Sequence, residues 1–238
     1  MFKFRQPLKN NKNIIMSKKI VRKYILIIYK CFLFAYSVFM EIMLASGNIH
    51  KRQEFQKLFP QHTILVPKDR DLTFNVEETG NSFIENSLQK AMGLKKQNPN
   101  YNCPILADDS GLIVEALPNE LGIRTARFGQ KADGTILTAG ERNKLLLKRL
   151  KGVKLENRTA FFICTLVLLK EEEVVYIIQE KISGHIIEES LGTLGFGYDP
   201  VFWVDEAGCT MAQLSSEDKN IYSHRGKAVK KLKLLINK

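Results

Sequence analysis

Two adjacent carboxylates close an apolar run: Ala107-Asp108-Asp109-Ser110-Gly111 follows Pro104-Ile105-Leu106. Side by side, like charges raise each other's proton affinity unless a cation or hydrogen bonds compensate. A strand ending in such a pair suits a divalent metal and a carboxylate that takes a proton from water. A second acidic pair, Glu77-Glu78, precedes Thr79-Gly80. It reads either as a solvated loop or, beside Asp108-Asp109, as a further ligand for Mg²⁺, which takes one or two carboxylates, several waters and substrate phosphates.

Other runs could hold an anion or a flat ring. Ser46-Gly47-Asn48-Ile49-His50-Lys51 reads as a strand–turn–helix phosphate site: glycine lets backbone approach, helix amides point outward, and Lys51 adds charge. The alternative is a capped helix with a surface lysine. The G-x-x-x-x-G-K-[ST] spacing of a Walker A loop is absent. Gly192-Thr193-Leu194-Gly195-Phe196-Gly197-Tyr198-Asp199-Pro200 brings backbone close to something flat. There Phe196 and Tyr198 could stack on a base while Asp199 bonds a purine edge or a sugar hydroxyl. A glycine-rich turn with core aromatics explains the same run. Lys219 and Ser223-His224-Arg225 lie near a C-terminal helix, where cations in the first turn oppose the dipole unless an anionic or carbonyl ligand compensates. Arg127 is a further phosphate clamp or a surface ion-pair partner. No Ser-His-Asp order or G-x-S-x-G elbow appears, and four scattered histidines argue against zinc.

These groups need elements to hold them. Glu41–Ala45 reads as a buried strand and His50–Phe59 as a helix with Phe55, Leu58 and Phe59 inward. Ser82 and Glu85 form a capping box opening a helix with an Ile84, Leu88, Ala91 and Met92 stripe. A strand near Ile105 carries the acidic pair. Glu141–Lys151 is helical by spacing, with Leu146, Leu147 and Leu150 inward. Thr159–Leu169 and Val174–Gln179 are strands joined by an exposed turn at Glu171-Glu172-Glu173. A strand at Val201–Val204 and a basic amphipathic helix at Arg225–Leu235 complete the chain. Alternation early and strands late predict an α/β domain with a mixed sheet.

Composition sharpens the function class. The chain has 238 residues and a formal charge of +11, but nine positive charges and no acid precede Glu41, leaving +2 for the remainder. A nearly neutral body argues against a nucleic-acid footprint. Four cysteines, widely spaced, read as reduced thiols. Basic residues followed by an apolar run, Tyr24–Met40 broken by Lys30, resemble a secretory signal or short anchor. A cleavage site near Ala45-Ser46 would destroy the phosphate loop. The reading preferred here is therefore an extension over residues 1–39, outside a fold over 40–238 that starts at Met40, with no membrane partner.

Together and in order, six blocks resemble the inosine triphosphate pyrophosphatase family, which hydrolyses ITP, dITP and XTP. They are Leu44–Asn48 with Lys51 and Glu54; Glu78-Thr79-Gly80 with Phe83, Glu85-Asn86 and Lys90-Ala91; Ala107–Leu112; Ala126-Arg127; Gly195–Phe202; and Ser223–Ala228. The resemblance runs from Met40 to the C-terminus. It implies an elongated, two-lobed α/β domain with a long twisted mixed sheet flanked by helices, an active-site cleft between the lobes, a homodimer, Mg²⁺ and a cytoplasmic setting. It makes Asp109 the proton acceptor and Glu77 and Asp109 the metal positions, with Asp108 adjacent. Ser46, Gly47, Asn48, Ile49, His50, Lys51 and Ser110 become phosphate-side contacts. Phe196, Gly197, Tyr198, Asp199, Lys219, His224 and Arg225 become nucleotide-side contacts. Two departures stand out: Gln213 replaces the usual Glu, and Leu121-Gly122-Ile123-Arg124-Thr125-Ala126-Arg127 replaces a segment that carries Pro and Tyr, while keeping Arg127. Competing readings are a pyrophosphatase for other modified or pyrimidine triphosphates, and a nucleotide sensor without catalysis.

Overall fold

The computed structural model describes residues 39–236, so the readings made for residues 1–38 lie outside it. Within it, β1 (Glu41–Leu44) runs into α1 (Ile49–Leu58) and β2 (Thr63–Leu65); α2 (Phe83–Gln97) leads to β3 (Ile105–Val114) and α3 (Ala139–Arg149). The long hairpin of β4 (Thr159–Lys170) and β5 (Glu173–Ile186) follows, then β6 (Phe202–Val204), β7 (Cys209–Thr210), α4 (Ser216–Tyr222) and α5 (His224–Ile236). All seven strands form one mixed sheet in the order β2-β1-β3-β4-β5-β6-β7. β1 is parallel to β2 and to β3; every later pairing is antiparallel.

After Glu41, β1 is apolar because both its faces are covered. Ile42 and Leu44 pack with Phe55, Leu58, Phe59, Val229 and Leu232 beneath α1 and α5, while Met43 joins Ala91, Leu94, Ile105 and Val167 beneath α2. A third cluster gathers around the far ends of β3 and β4 with β6 and α3, and includes Leu112, Leu146, Leu150, Phe162, Tyr198 and Phe202. β3 and β4 thus run from one core into the next. The residues at mid-strand, Asp108 to Gly111, fall at the change.

Local expectations hold in outline. Asn48 caps α1, Ser82 caps α2 by accepting from the Glu85 amide at 3.1 Å, and Phe55, Leu58 and Phe59 are buried. The reciprocal half of the α2 box differs: the Glu85 carboxylate accepts from the Asn81 amide, not from Ser82. The α2 stripe is corrected too. Ile84 and Met92 are 39% and 53% exposed, and the buried face is Phe83, Asn86, Ser87, Lys90, Ala91, Leu94 and Lys95. Leu88 and Ala91 of the stripe do pack on the core. The polar members of the buried face have separate partners: Asn86 and Lys90 on Asp109, Ser87 on the Thr165 carbonyl, and Lys95 on the Pro99 and Tyr101 carbonyls.

Candidate active site

Side chains alternate across a strand, so neighbouring Asp108 and Asp109 leave β3 on opposite faces. The expectation of one dicarboxylate site is therefore corrected. Asp108 is fully buried and Asp109 is 6% exposed at the cleft. Asp108 meets Lys51 Nζ at 3.1 Å and Arg225 Nε at 3.0 Å, and it accepts from Ser110 Oγ and from Cys164 Sγ. Burial would raise its carboxyl, but Lys51 and Arg225 hold it far below the ordinary carboxylate range. Asp109 meets Lys90 Nζ at 2.8 Å and accepts from Asn86 Nδ2 at 3.3 Å, both from α2. Burial lifts its carboxyl above the ordinary range against the pull of Lys90 and Lys51, with Glu78 adding to the rise.

Lys90 also meets Glu78 at 3.1 Å, so one ammonium bridges two carboxylates. Glu78 feels burial as well, but the charge and hydrogen bond of Lys90 pull it below its usual value. Glu77, expected as a metal position, is exposed, because the extended segment that turns Glu78 inward turns Glu77 out. The carboxylate facing Asp109 is Glu78. Gly111 has to be glycine: a Cβ there would strike the Gly122 carbonyl and the Thr125 hydroxyl of the turn packed on β3.

The cleft has a volume of about 590 Å³, within the range of small-molecule sites. It gathers Ser46, Gly47, Asn48, His50, Lys51, Asp109, Ser110, Phe196, Gly197, Tyr198, Asp199, His224 and Arg225, together with Arg127. Ile49 and Glu77 do not line it, and Lys219 lines an adjoining cavity of about 230 Å³. The phosphate loop offers fewer free amides than expected. Asn48 Oδ1 accepts from His50 N at 2.9 Å and Lys51 N at 3.2 Å, and Ser46 Oγ accepts from Asn48 N at 3.1 Å. What the loop presents to the cleft is chiefly polar side chains and the half-buried Lys51, whose ammonium is made easier to deprotonate by loss of solvent, despite Asp108.

The glycine-rich loop is fixed by its own aspartate. Asp199 is buried and accepts from Phe196 N at 2.8 Å and from Lys219 Nζ at 2.6 Å. Gly195, at φ +74°, leaves room for that carboxylate. Asp199 therefore positions the loop instead of meeting a base edge, correcting one expectation. Tyr198 corrects another: it is 3% exposed and its hydroxyl donates to the Thr125 carbonyl at 2.9 Å. Phe196 remains as the aromatic face, with Lys219 Nζ 5.1 Å and Arg225 Cζ 5.4 Å from its ring centre. Glu54 completes a buried chain, meeting Arg225 at 3.0 Å and Lys219 at 2.5 Å. The alternation Asp108–Arg225–Glu54–Lys219–Asp199 ties the β3 end of the site to the aromatic end.

His224 opens α5, capped by Ser223, whose Oγ accepts from Gly226 N at 3.1 Å. Its ring stacks on Phe162, centroids 4.9 Å apart, and its Nδ1 is buried without a partner. Burial, aided by Arg225, holds the imidazole well below its usual pKa and hence neutral. The dipole cost foreseen for a cation there is thus avoided at His224, and at Arg225 it is offset by Asp108 and Glu54. Gln213, the departure from Glu, caps a turn by accepting from Thr210 N at 3.0 Å, which a neutral amide does as well as a carboxylate. The Leu121 departure places an apolar side chain in the core below the turn that carries Thr125 and Arg127.

Lys90, Glu54 and Asn86 enter the sequence reading only as members of the family blocks, with no role of their own. The signal for two of them was the i,i+4 spacing of Asn86 and Lys90 on the face that also carries Phe83 and Ala91.

Among the described residues, no helix is long and apolar enough to cross a membrane. The Ham1 family model matches residues 42–235. A Treponema denticola protein named dITP/XTP pyrophosphatase is 46% identical over 80% of this chain and 95% of its own length. A Thermoanaerobacter protein of the same name is 40% identical over 84% and 98%. The solved structure of the Staphylococcus aureus Ham1 protein superposes with a TM-score of 0.69 at 34% identity, covering 82% of this chain and 97% of that one. With its sheet, its cleft and nearly the whole length of its body matched, the chain belongs to the Ham1 family.

Proposed function

We propose that residues 40–238 hydrolyse deaminated purine nucleoside triphosphates, ITP, dITP and XTP, to the monophosphate and pyrophosphate. The observation that carries this reading is the pairing of ends within one cleft. At one end is a buried carboxylate, Asp109, with raised proton affinity; at the other are an aromatic face, Phe196, and an unpartnered buried imidazole nitrogen, His224 Nδ1. The names of the Treponema and Thermoanaerobacter relatives support it.

Asp109 accepts the proton of a water attacking the α-phosphorus, a task suited to a carboxyl shifted toward neutral pH. Lys90 holds Asp109 in place, and Lys51, with the Ser46–Asn48 loop, faces the phosphate chain. Glu78 and Asp109 would hold Mg²⁺. Two carboxylates that already converge on one cation, the Lys90 ammonium at 3.1 and 2.8 Å, fit an ion that keeps waters and phosphates in its shell. Among the described residues there is no cluster of three ligating side chains for a self-sufficient cage. Bound there, the ion would neutralise charge on the leaving pyrophosphate.

Base choice follows from hydrogen-bond sign. Neutral His224, as the Nδ1–H tautomer, donates to O6 of hypoxanthine or xanthine. Adenine presents an amino group at that position, and a buried donor left unpaired costs about 1–3 kcal/mol. A homodimer and a cytoplasmic setting belong to the same proposal; light scattering on the purified protein tests the first. The deciding assay is pyrophosphate release with Mg²⁺ across ITP, XTP, dITP, GTP, ATP and dTTP. Release from the first three is expected, and no release from any of them refutes the reading.

A further inference from the structure

His50 and Phe196 border both the main cleft and the adjoining smaller cavity. Their rings stack, centroids 5.2 Å apart and planes 16° from parallel. The two partners are held very differently. Phe196 is fixed, its amide bound to Asp199 and its ring flanked by Lys219 and Arg225. His50 stands in the exposed first turn of α1, and among the described residues its ring makes no hydrogen bond or ion pair. The fixed ring is the surface a nucleobase needs, and an exposed imidazole already lies on it.

We propose that His50 is an internal competitor for the nucleobase platform: its imidazole covers Phe196 in the free protein and is displaced when a purine stacks there. The proposal rests on the nucleotide reading of this cleft and adds a control on affinity. A site whose binding-competent form is only partly populated binds its ligand more weakly by that fraction. Ligands without a base escape the penalty, because they never need the platform. The His50 backbone is not involved: its amide bond to Asn48 Oδ1 survives substitution of the side chain.

The test compares wild type with His50→Ala and His50→Phe. Aromatic pairs of this kind predict a KM for ITP about two- to tenfold lower in His50→Ala. His50→Phe, a better stacker on Phe196, should raise it. Inhibition by inorganic tripolyphosphate should not differ among the three. A KM that rises in His50→Ala, that moves in the same direction in both variants, or that moves in neither overturns the proposal. So does a shift in tripolyphosphate inhibition that tracks ITP, which would place His50 among the phosphate contacts. Displacement is also read without turnover. The His50 ring protons should carry a ring-current shift in the free protein that Phe196→Leu removes and inosine monophosphate abolishes. A chain that shows this exchange yet leaves ITP intact keeps the platform and fails only as a pyrophosphatase.

Discussion

Asp108 and Asp109 are one residue apart in β3, carry the same side chain and are both buried, yet they sit in opposite electrostatic settings. Asp108 has two cations within 3.1 Å and two further donors, Ser110 and Cys164. Asp109 has one cation, which it shares with Glu78, and one amide. The first is satisfied and stays charged; the second has its proton affinity raised by burial and, to a smaller degree, by the neighbouring Glu78 carboxylate. Strand alternation alone separates them. One aspartate ties three elements together, and the other is left reactive.

The sharpest test of that contrast is catalytic. Asp109→Asn keeps shape and removes the base, so kcat for pyrophosphate release should fall about 10²–10⁴-fold while circular dichroism stays as in wild type. Retained activity would mean that another group takes the proton. Asp108→Asn should act through the fold. It leaves the buried Arg225 and the half-buried Lys51 without their shared anion, a loss of about 3–5 kcal/mol. For a domain of this size that is a fall in Tm of about 6–20 °C. A Tm within two degrees of wild type would show that Glu54 and solvent compensate, and the division of labour would fail.

Much of the scaffold for this contrast was legible in the sequence. The Ser82 cap, the inward Phe55, Leu58 and Phe59, and the β4–β5 hairpin follow from local rules that tertiary contacts reinforce. Glu173, however, belongs to β5 and not to the turn, and the acidic pair lies mid-strand instead of at a strand's end because β3 continues to Val114. What was not legible depended on partners remote in the chain. Lys90 reads as a surface lysine until α2 packs on β3 and places it between Glu78 and Asp109. Glu54 reads as a solvated helix residue until α5 brings Arg225 within 3.0 Å, across 171 positions. The choice between Glu77 and Glu78 turned on the phase of an extended loop, which no spacing rule sets. Tyr198 and Asp199 turn inward because a glycine-rich run leaves side-chain direction to tertiary contacts. The same two types that could greet a base here support the loop that presents Phe196.

A third test is subtler and concerns pH. Asp109 works ionised, so activity falls as pH drops through its raised pKa. Glu78 contributes to that rise, so Glu78→Gln should move the acid limb of kcat/KM to lower pH, in addition to weakening Mg²⁺ dependence. Asp108 cannot be the source of this limb. Its folded pKa is depressed, so its stabilisation is complete above the unfolded value near 3.8 and is lost only as pH falls toward the folded one. An acid limb that stays in place in Glu78→Gln would detach Glu78 from Asp109.

The smallest expected effect is one of sign. A carboxylate whose folded pKa lies above its unfolded value is destabilising wherever it is ionised, and protonation at low pH relieves the cost. Asp109 is such a group; Asp108, with its depressed pKa, is the reverse. Neutral asparagine should therefore lower Tm at position 108, and at position 109 hold it or raise it by a degree or two, since Lys90 retains Glu78 as a partner. Differential scanning calorimetry of the two variants at neutral pH measures both. The pattern expected is a reactive residue kept at some cost to the fold beside one that secures it. Equal losses of Tm would show that both aspartates are structural and that reactivity lies elsewhere in the cleft.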